Sequence, residues 1–173
     1  MAYGLEGDYT NMAISAVAAL LPYGGDLLKG GRLTKSIANA ALDAFKESSA
    51  ALRLGLPASS KVLGRNMKEI GISPPSSGYA AHHIVAGGAE KAEEARRILK
   101  RWGIDINSPA NGVFLPAKKE IVSESIYHPG LHTNKYYYEI NRRLSDAADS
   151  KEGVLQELAE IRNELLAGTF DYK

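Results

Sequence analysis

Tyr79-Ala80-Ala81-His82-His83-Ile84-Val85-Ala86 is an apolar stretch with two adjacent imidazoles at its centre, and its reading decides what the rest of the chain is for. Its length and apolar flanks predict a short buried strand over 79–85. The other two histidines, His128 and His132, follow downstream, while residues 1–78 hold none. Histidine is a borderline metal ligand and the side chain that titrates nearest neutral pH, so this crowding points to one site. A lone histidine is more often a satisfied core residue. A His-His pair, an Asn and a His-x-x-x-His within one window weigh against that bland alternative.

Neighbouring side chains on a strand point to opposite faces, so His82 and His83 cannot both reach one ion from a flat strand. That geometry implies a division of labour, with one ring on a metal and the other near a water or substrate, where a near-neutral pKa suits a general base. His128 and His132 are four apart, a spacing that on a helix lets both contact a single ion. Pro129 and Gly130 intervene, which predicts His128 just ahead of a helix and His132 within its start. The chain lacks the Glu of a His-Glu-x-x-His metalloprotease. Three neutral imidazoles with an open fourth position make a catalytic type of site, one that favours zinc, nickel or manganese over magnesium. Asn111, before Gly112, reads either as a turn residue or as an amide that pins the loop carrying the base or offers its oxygen to the metal.

Outward from this centre, 71–78 (Gly-Ile-Ser-Pro-Pro-Ser-Ser-Gly) is the densest Pro/Gly/Ser stretch and the expected domain boundary. Upstream, helices are expected over 10–21, 26–29 and 34–54, and another from a Ser59 or Ser60 cap through Ile70. Downstream, 90–102 reads as a helix closed by Gly103, and 113–115 as a second strand stopped by Pro116. Segment 120–127 has no clear assignment. Thr133 or Asn134 caps a helix with Tyr136, Ile140 and Leu144 on one stripe, and 151–166 is a final amphipathic helix ending at Gly168. The order is strand, helix, strand, helix, helix: α+β, mostly helical, with a helix inserted between two strands and a helical region ahead of them.

The 173 residues suit one ordinary domain with an appendage, 45% apolar and 24% charged. Without cysteine, disulfide scaffolds and thiolate metal sites are excluded. The net charge of +1 gives no bulk case for a polyanionic partner. Nucleic-acid contact must then rest on local groups such as Arg97 and Arg101, or Lys118 and Lys119. A solvated face explains the first pair equally well, because Glu93 and Glu94 lie beside it. The most apolar run, 12–21, is about half of a membrane span, and no Lys or Arg precedes it as in a cleaved secretory signal. No stable membrane insertion is expected.

Ala81-His82-His83, then Gly103-Ile104-Asp105-Ile106-Asn107, then Asn111-Gly112-Val113-Phe114-Leu115-Pro116, and finally His128-x-x-x-His132 with Tyr136, together resemble the AHH nucleases of the HNH and endonuclease VII superfamily. The resemblance implies a ββα-metal (His-Me finger) core over 79–173 and one divalent ion: zinc, nickel, manganese or magnesium. Carried over motif by motif, His82 matches the metal ligand of the pair, His83 the general base, Asn111 the motif Asn, and His128 and His132 the remaining ligands. The inserted helix and Pro129-Gly130 depart from the pattern, leaving open which of His128, His132 and Asn111 complete the metal shell. The family further implies DNA as substrate, with RNA as an alternative, and a toxin module opposed by a cognate immunity protein. Ile14 to Lys29, an apolar run into Pro22-x-Gly24-Gly25-Asp26 and Lys29, is similar to the pretoxin segments that precede such modules in secreted effectors, which makes 1–78 a pretoxin-like helical region; an ordinary Ala-rich helix pair explains it as well. That similarity implies synthesis in a bacterial cytoplasm, export by a specialised secretion apparatus or carrier protein, and action in the cytoplasm of a target cell. The competing reading is a non-catalytic, metal-stabilised interaction domain of such an effector.

Overall fold

A computed structural model of the protein describes residues 56–121 and 123–173. The helices expected over 10–21, 26–29 and 34–54 lie outside the described residues. The first helix described, α1 (Ser60–Glu69), starts where the Ser59 hydroxyl accepts a hydrogen bond from the Val62 N–H at 3.4 Å, as an N-cap should. Its apolar residues Leu63 and Met67, four apart, are fully buried. The Pro/Gly/Ser stretch 71–78 then leads into strand β1 (Tyr79–His83). A 3-10 turn (Glu90–Ala92) runs into α2 (Glu93–Arg101), and a second 3-10 turn (Pro109–Asn111) feeds β2 (Gly112–Pro116). The chain closes with α3 (Asn134–Asp146) and α4 (Lys151–Ala167), capped by Thr133 and Ser150.

The two strands pair antiparallel, with Tyr79 opposite Pro116 and His83 opposite Gly112, so a whole helix does lie between the strands of the hairpin. Strand β1 is two residues shorter than expected, for a local reason. Past His83, the Ile84 N–H still reaches the Asn111 carbonyl at 2.9 Å, but the Val85 N–H is taken by the Asn111 side-chain oxygen at 2.8 Å. A side chain has replaced the next rung of the ladder.

Side-chain alternation gives the small sheet two different faces. On one, Ala81 and Phe114 pack against Leu63 and Met67 of α1. On the other, Val113 and Leu115 join the larger core with Leu99, Ile140, Leu144, Leu158, Ile161 and Leu165 from α2, α3 and α4. Full burial of Leu63 and Met67 is worth about 1.5–3 kcal/mol each, enough to hold α1 on the sheet. Gly112 makes that approach possible: a Cβ there would sit 2.7 Å from Met67 Sδ and 2.8 Å from Leu63 Cδ1. The packed unit therefore takes in α1, upstream of the boundary expected at 71–78. Among the described residues no helix is long and apolar enough to cross a membrane.

Candidate active site

His82 points into the larger core and is 1% exposed. Its ring centroid lies 5.1 Å from that of His128 and 4.9 Å from that of His132, and His132 in turn stacks on Tyr137. The fully buried Tyr136 sets the hydrogen on the His82 ring. Its hydroxyl donates its single proton to the Ile84 carbonyl at 2.7 Å, so His82 Nε2, 2.9 Å from the same oxygen, must be the donor in that contact. The lone pair of His82 is thereby left on Nδ1. Burial raises the Tyr136 phenol well above its usual range, which keeps the relay protonated.

The structure leaves His128 ahead of the helix, as expected, and corrects the placing of His132 within its start. Helix α3 begins at Asn134, behind the Thr133 cap, so neither His128 nor His132 is helical. Pro129 has no N–H, and Gly130 takes a φ of +88°, so 128–131 forms a turn closed by Leu131 N–H on the His128 carbonyl at 3.3 Å. Buried Leu131 anchors this turn, and the His128 N–H fastens it to the Pro116 carbonyl at the end of β2, 2.9 Å away. The two rings thus approach His82 from a turn and not from one helical face. Burial lowers the pKa of both, and lowers that of His82 well below its ordinary value, helped by the proximity of His132, His128 and His83. Three uncharged imidazoles are the right donor chemistry for a borderline divalent ion. Their chemistry suits such an ion better than their present spacing does: among the described residues no group of three or more His, Asp or Glu is placed so that it could hold a metal ion.

His83 sits beyond this cluster, partly exposed, with its Nε2 3.2 Å from the side-chain oxygen of Asn107. Burial lowers its pKa, and the Asn107 bond pulls the other way. The adjacent histidines therefore have separate surroundings, as strand alternation requires. Asn111 is fully buried: its oxygen accepts from Val85 N–H, and its NH2 donates to Val85 O at 3.2 Å and Ile106 O at 2.9 Å. Both ends of the amide are engaged by backbone, which ties the exit of β1 to the turn that enters β2. From α4, Arg162 holds the same turn through the carbonyls of Pro109, Ala110 and Gly112.

Lys118 and Lys119 are exposed just past β2. Arg97 is held by Glu93 one turn away on α2, and Arg101 lies over the Trp102 ring. The sequence reading quoted Asn107 and Tyr136 among the motif residues without giving either a role in the site, and missed Arg162. It also passed over Lys61, Arg65 and Lys68, which a spacing of four and three sets along one exposed side of α1.

All four histidines have folded pKa values below the ordinary 6.5. Between 6.5 and those lower values the unfolded chain binds more protons than the folded one, so stability is full above 6.5 and is lost as pH falls through the folded pKa values. In chelator, Tm should hold steady above about pH 7.5 and decline from about pH 6.5 towards pH 5. A flat Tm across that window would contradict the assignment of buried neutral rings.

Residues 63–167 match the family model AHH, described as a nuclease family of the HNH/ENDO VII superfamily with conserved AHH. The Ala-His-His of this chain is Ala81-His82-His83, the C-terminal end of β1. No curated protein and no solved structure matches the chain.

Proposed function

The chain belongs to the AHH family, a nuclease family of the HNH/ENDO VII superfamily, and from that premise we propose that it is a metal-dependent endonuclease hydrolysing the phosphodiester bonds of DNA. The observation that carries the reading is the separation of the adjacent pair, His82 among two further neutral imidazoles and His83 apart from them on an amide. His83 accepts a proton from water as general base; the water oxygen forms a bond to phosphorus, the bond to the leaving sugar oxygen breaks, and solvent protonates that oxygen. His82, His128 and His132 would hold one divalent ion, with imidazole favouring zinc, nickel or manganese over magnesium. When bound, the ion supplies stabilisation of the charge that develops on the phosphoryl and leaving oxygens. Tyr136 keeps the Nδ1 lone pair of His82 facing outward from the relay, and Asn111 holds the strand exit that carries both histidines. Lys118 and Lys119, exposed, are the better candidates for backbone phosphate contact, since Glu93 already engages Arg97.

Supercoiled plasmid incubated with the protein should be nicked in the presence of manganese, nickel or zinc and stay intact in chelator. An ion that raises Tm without any nicking would instead favour the metal-stabilised interaction domain. Tyr136→Phe tests the relay separately. Losing the partner of the His82 Nε2–H should weaken metal binding by about 10- to 100-fold in a calorimetric titration, and unchanged affinity would remove Tyr136 from the site.

The biological setting proposed with this chemistry is an antibacterial effector. The chain ahead of α1 would form its pretoxin-like part, secreted without a cleaved signal by a specialised apparatus or carrier. The nuclease would act in the target-cell cytoplasm and be neutralised by an immunity protein. Expression of the chain should arrest bacterial growth, and a small neighbouring gene product should restore it.

A further inference from the structure

We propose that Asn107 is a positioning residue: its side-chain oxygen holds His83 in the tautomer with hydrogen on Nε2 and the lone pair on Nδ1, and backbone from Leu56 to Ser59 holds that amide in place. The proposal rests on the reading of His83 as the general base, and it names what aims that base.

The orientation of the Asn107 amide follows from its neighbours. One end faces the carbonyls of Leu56 and Pro57, at 3.0 and 3.1 Å, which only accept; the other faces the Ser59 N–H, at 2.9 Å, which only donates. The first end is therefore NH2 and the second is oxygen. That oxygen is the atom 3.2 Å from His83 Nε2, so the ring nitrogen must be the donor and the free lone pair lies on Nδ1. The Asn107 backbone is secured as well, its N–H on Asp105 Oδ1 at 2.8 Å and its carbonyl on Asn66 Nδ2 at 2.9 Å. Asn107 is fully buried, with both side-chain NH2 hydrogens donated and its oxygen in two contacts. A buried network satisfied in this way is rigid, because any rotation of the amide would leave several polar groups without partners. Residues 56–59 precede the stretch 63–167 that matches the family, yet they complete the surroundings of the base.

The test uses the full chain in chelator, at a pH where the rings are neutral, and reads the His83 ring nitrogens by 15N NMR. The wild type should show a protonated Nε2 and an unprotonated Nδ1. Asn107→Asp keeps the acceptor for His83 and Ser59 but loses both hydrogens donated to Leu56 and Pro57, so it should be less stable than the wild type yet retain that pattern in its folded fraction; Asn107→Leu should show a mixture of tautomers. With metal restored and rates corrected for folded fraction, Asn107→Leu should lose about 100-fold in kcat with KM nearly unchanged, as expected when a reacting group is misaimed. Asn107→Asp should recover most of that loss. A wild-type ring protonated on Nδ1 overturns the proposal without recourse to any variant that fails to fold, and so does an unchanged tautomer in Asn107→Leu. Because the ring measurement needs no turnover, a chain that never cleaves DNA would overturn the nuclease reading and leave the positioning result standing on its own.

Discussion

His83→Ala should reduce plasmid cleavage at saturating metal by about 10²- to 10⁴-fold, the range over which a positioned general base contributes to proton transfer. Its fold should survive. His83 is partly exposed, and removing its ring leaves the Asn107 oxygen still bonded to the Ser59 N–H, so no buried group loses its last partner. Metal affinity should also persist, because the rings of His82, His128 and His132 lie together while His83 is held on Asn107. The expected profile is thus a protein with nearly wild-type Tm and metal binding and almost no turnover. Millimolar imidazole should restore part of the rate by supplying the missing base from solution. His82→Ala should behave differently, losing metal affinity and turnover together while leaving the Tyr136 hydroxyl without its histidine partner. Equal cleavage by wild type and His83→Ala would sink the base assignment and move attention to another proton acceptor.

Much of the framework behind this expectation is legible in the sequence because it depends on local chemistry. Ser59, Thr133 and Ser150 are hydroxyl caps placed just ahead of apolar residues at helical spacing, and all three accept from a backbone N–H in the first turn. Gly168 ends α4 in the left-handed conformation with φ +73°. The division between His82 and His83 follows from strand geometry alone. Two readings fail at identifiable residues. The strand expected over 79–85 stops at His83 because the Asn111 side chain substitutes for a rung. His132 reads as helical from its spacing, yet the glycine before Leu131 adopts a backbone that no helix accommodates.

The rest of the site depends on contacts that sequence spacing does not encode. Asn107 meets Leu56, Pro57 and Ser59 across about fifty residues, and its burial is visible only once α1 is seated on the sheet. The cue in the chain is the place of Asn107 in the Gly103–Asn107 stretch of the family motif, which marks the residue without naming its partners; by itself an Asn two residues after an Asp reads as an ordinary turn. Tyr136 belongs to a run of three tyrosines of which one had to face the core; that it also fixes the His82 tautomer requires the position of Ile84. Both residues act through polar atoms inside the fold, where a partner is obligatory and its identity comes from topology.

Arg162→Leu should cost at least about 3 kcal/mol of stability, because each buried carbonyl left without its donor carries a penalty of about 1–3 kcal/mol. Arg162 is 5% exposed and lies on the inward side of α4 among Leu158, Ile161 and Leu165. Burial pulls its pKa down to about 10, still above neutrality, so the guanidinium stays charged under ordinary conditions. It donates through Nε to Gly112 O at 2.7 Å, and through one terminal nitrogen to Pro109 O at 2.6 Å and Ala110 O at 2.9 Å. These carbonyls bracket Asn111, so the last helix of the chain clamps the turn whose amide grips the exit of β1. A leucine of similar bulk fills the space and offers no hydrogen. Tm should fall by roughly 6–12 °C for a loss of about 3 kcal/mol in a domain of this size. Arg162→Lys should fall between the two, since an ammonium supplies a point charge and cannot span three carbonyls with a planar fork. Cleavage by Arg162→Leu, measured well below its own Tm, should also drop, because a loosened Asn111 turn frees the strand end that carries His83. A leucine variant within about 0.5 kcal/mol of wild type, the range of an ordinary surface substitution, would show that water or backbone readjustment replaces the clamp.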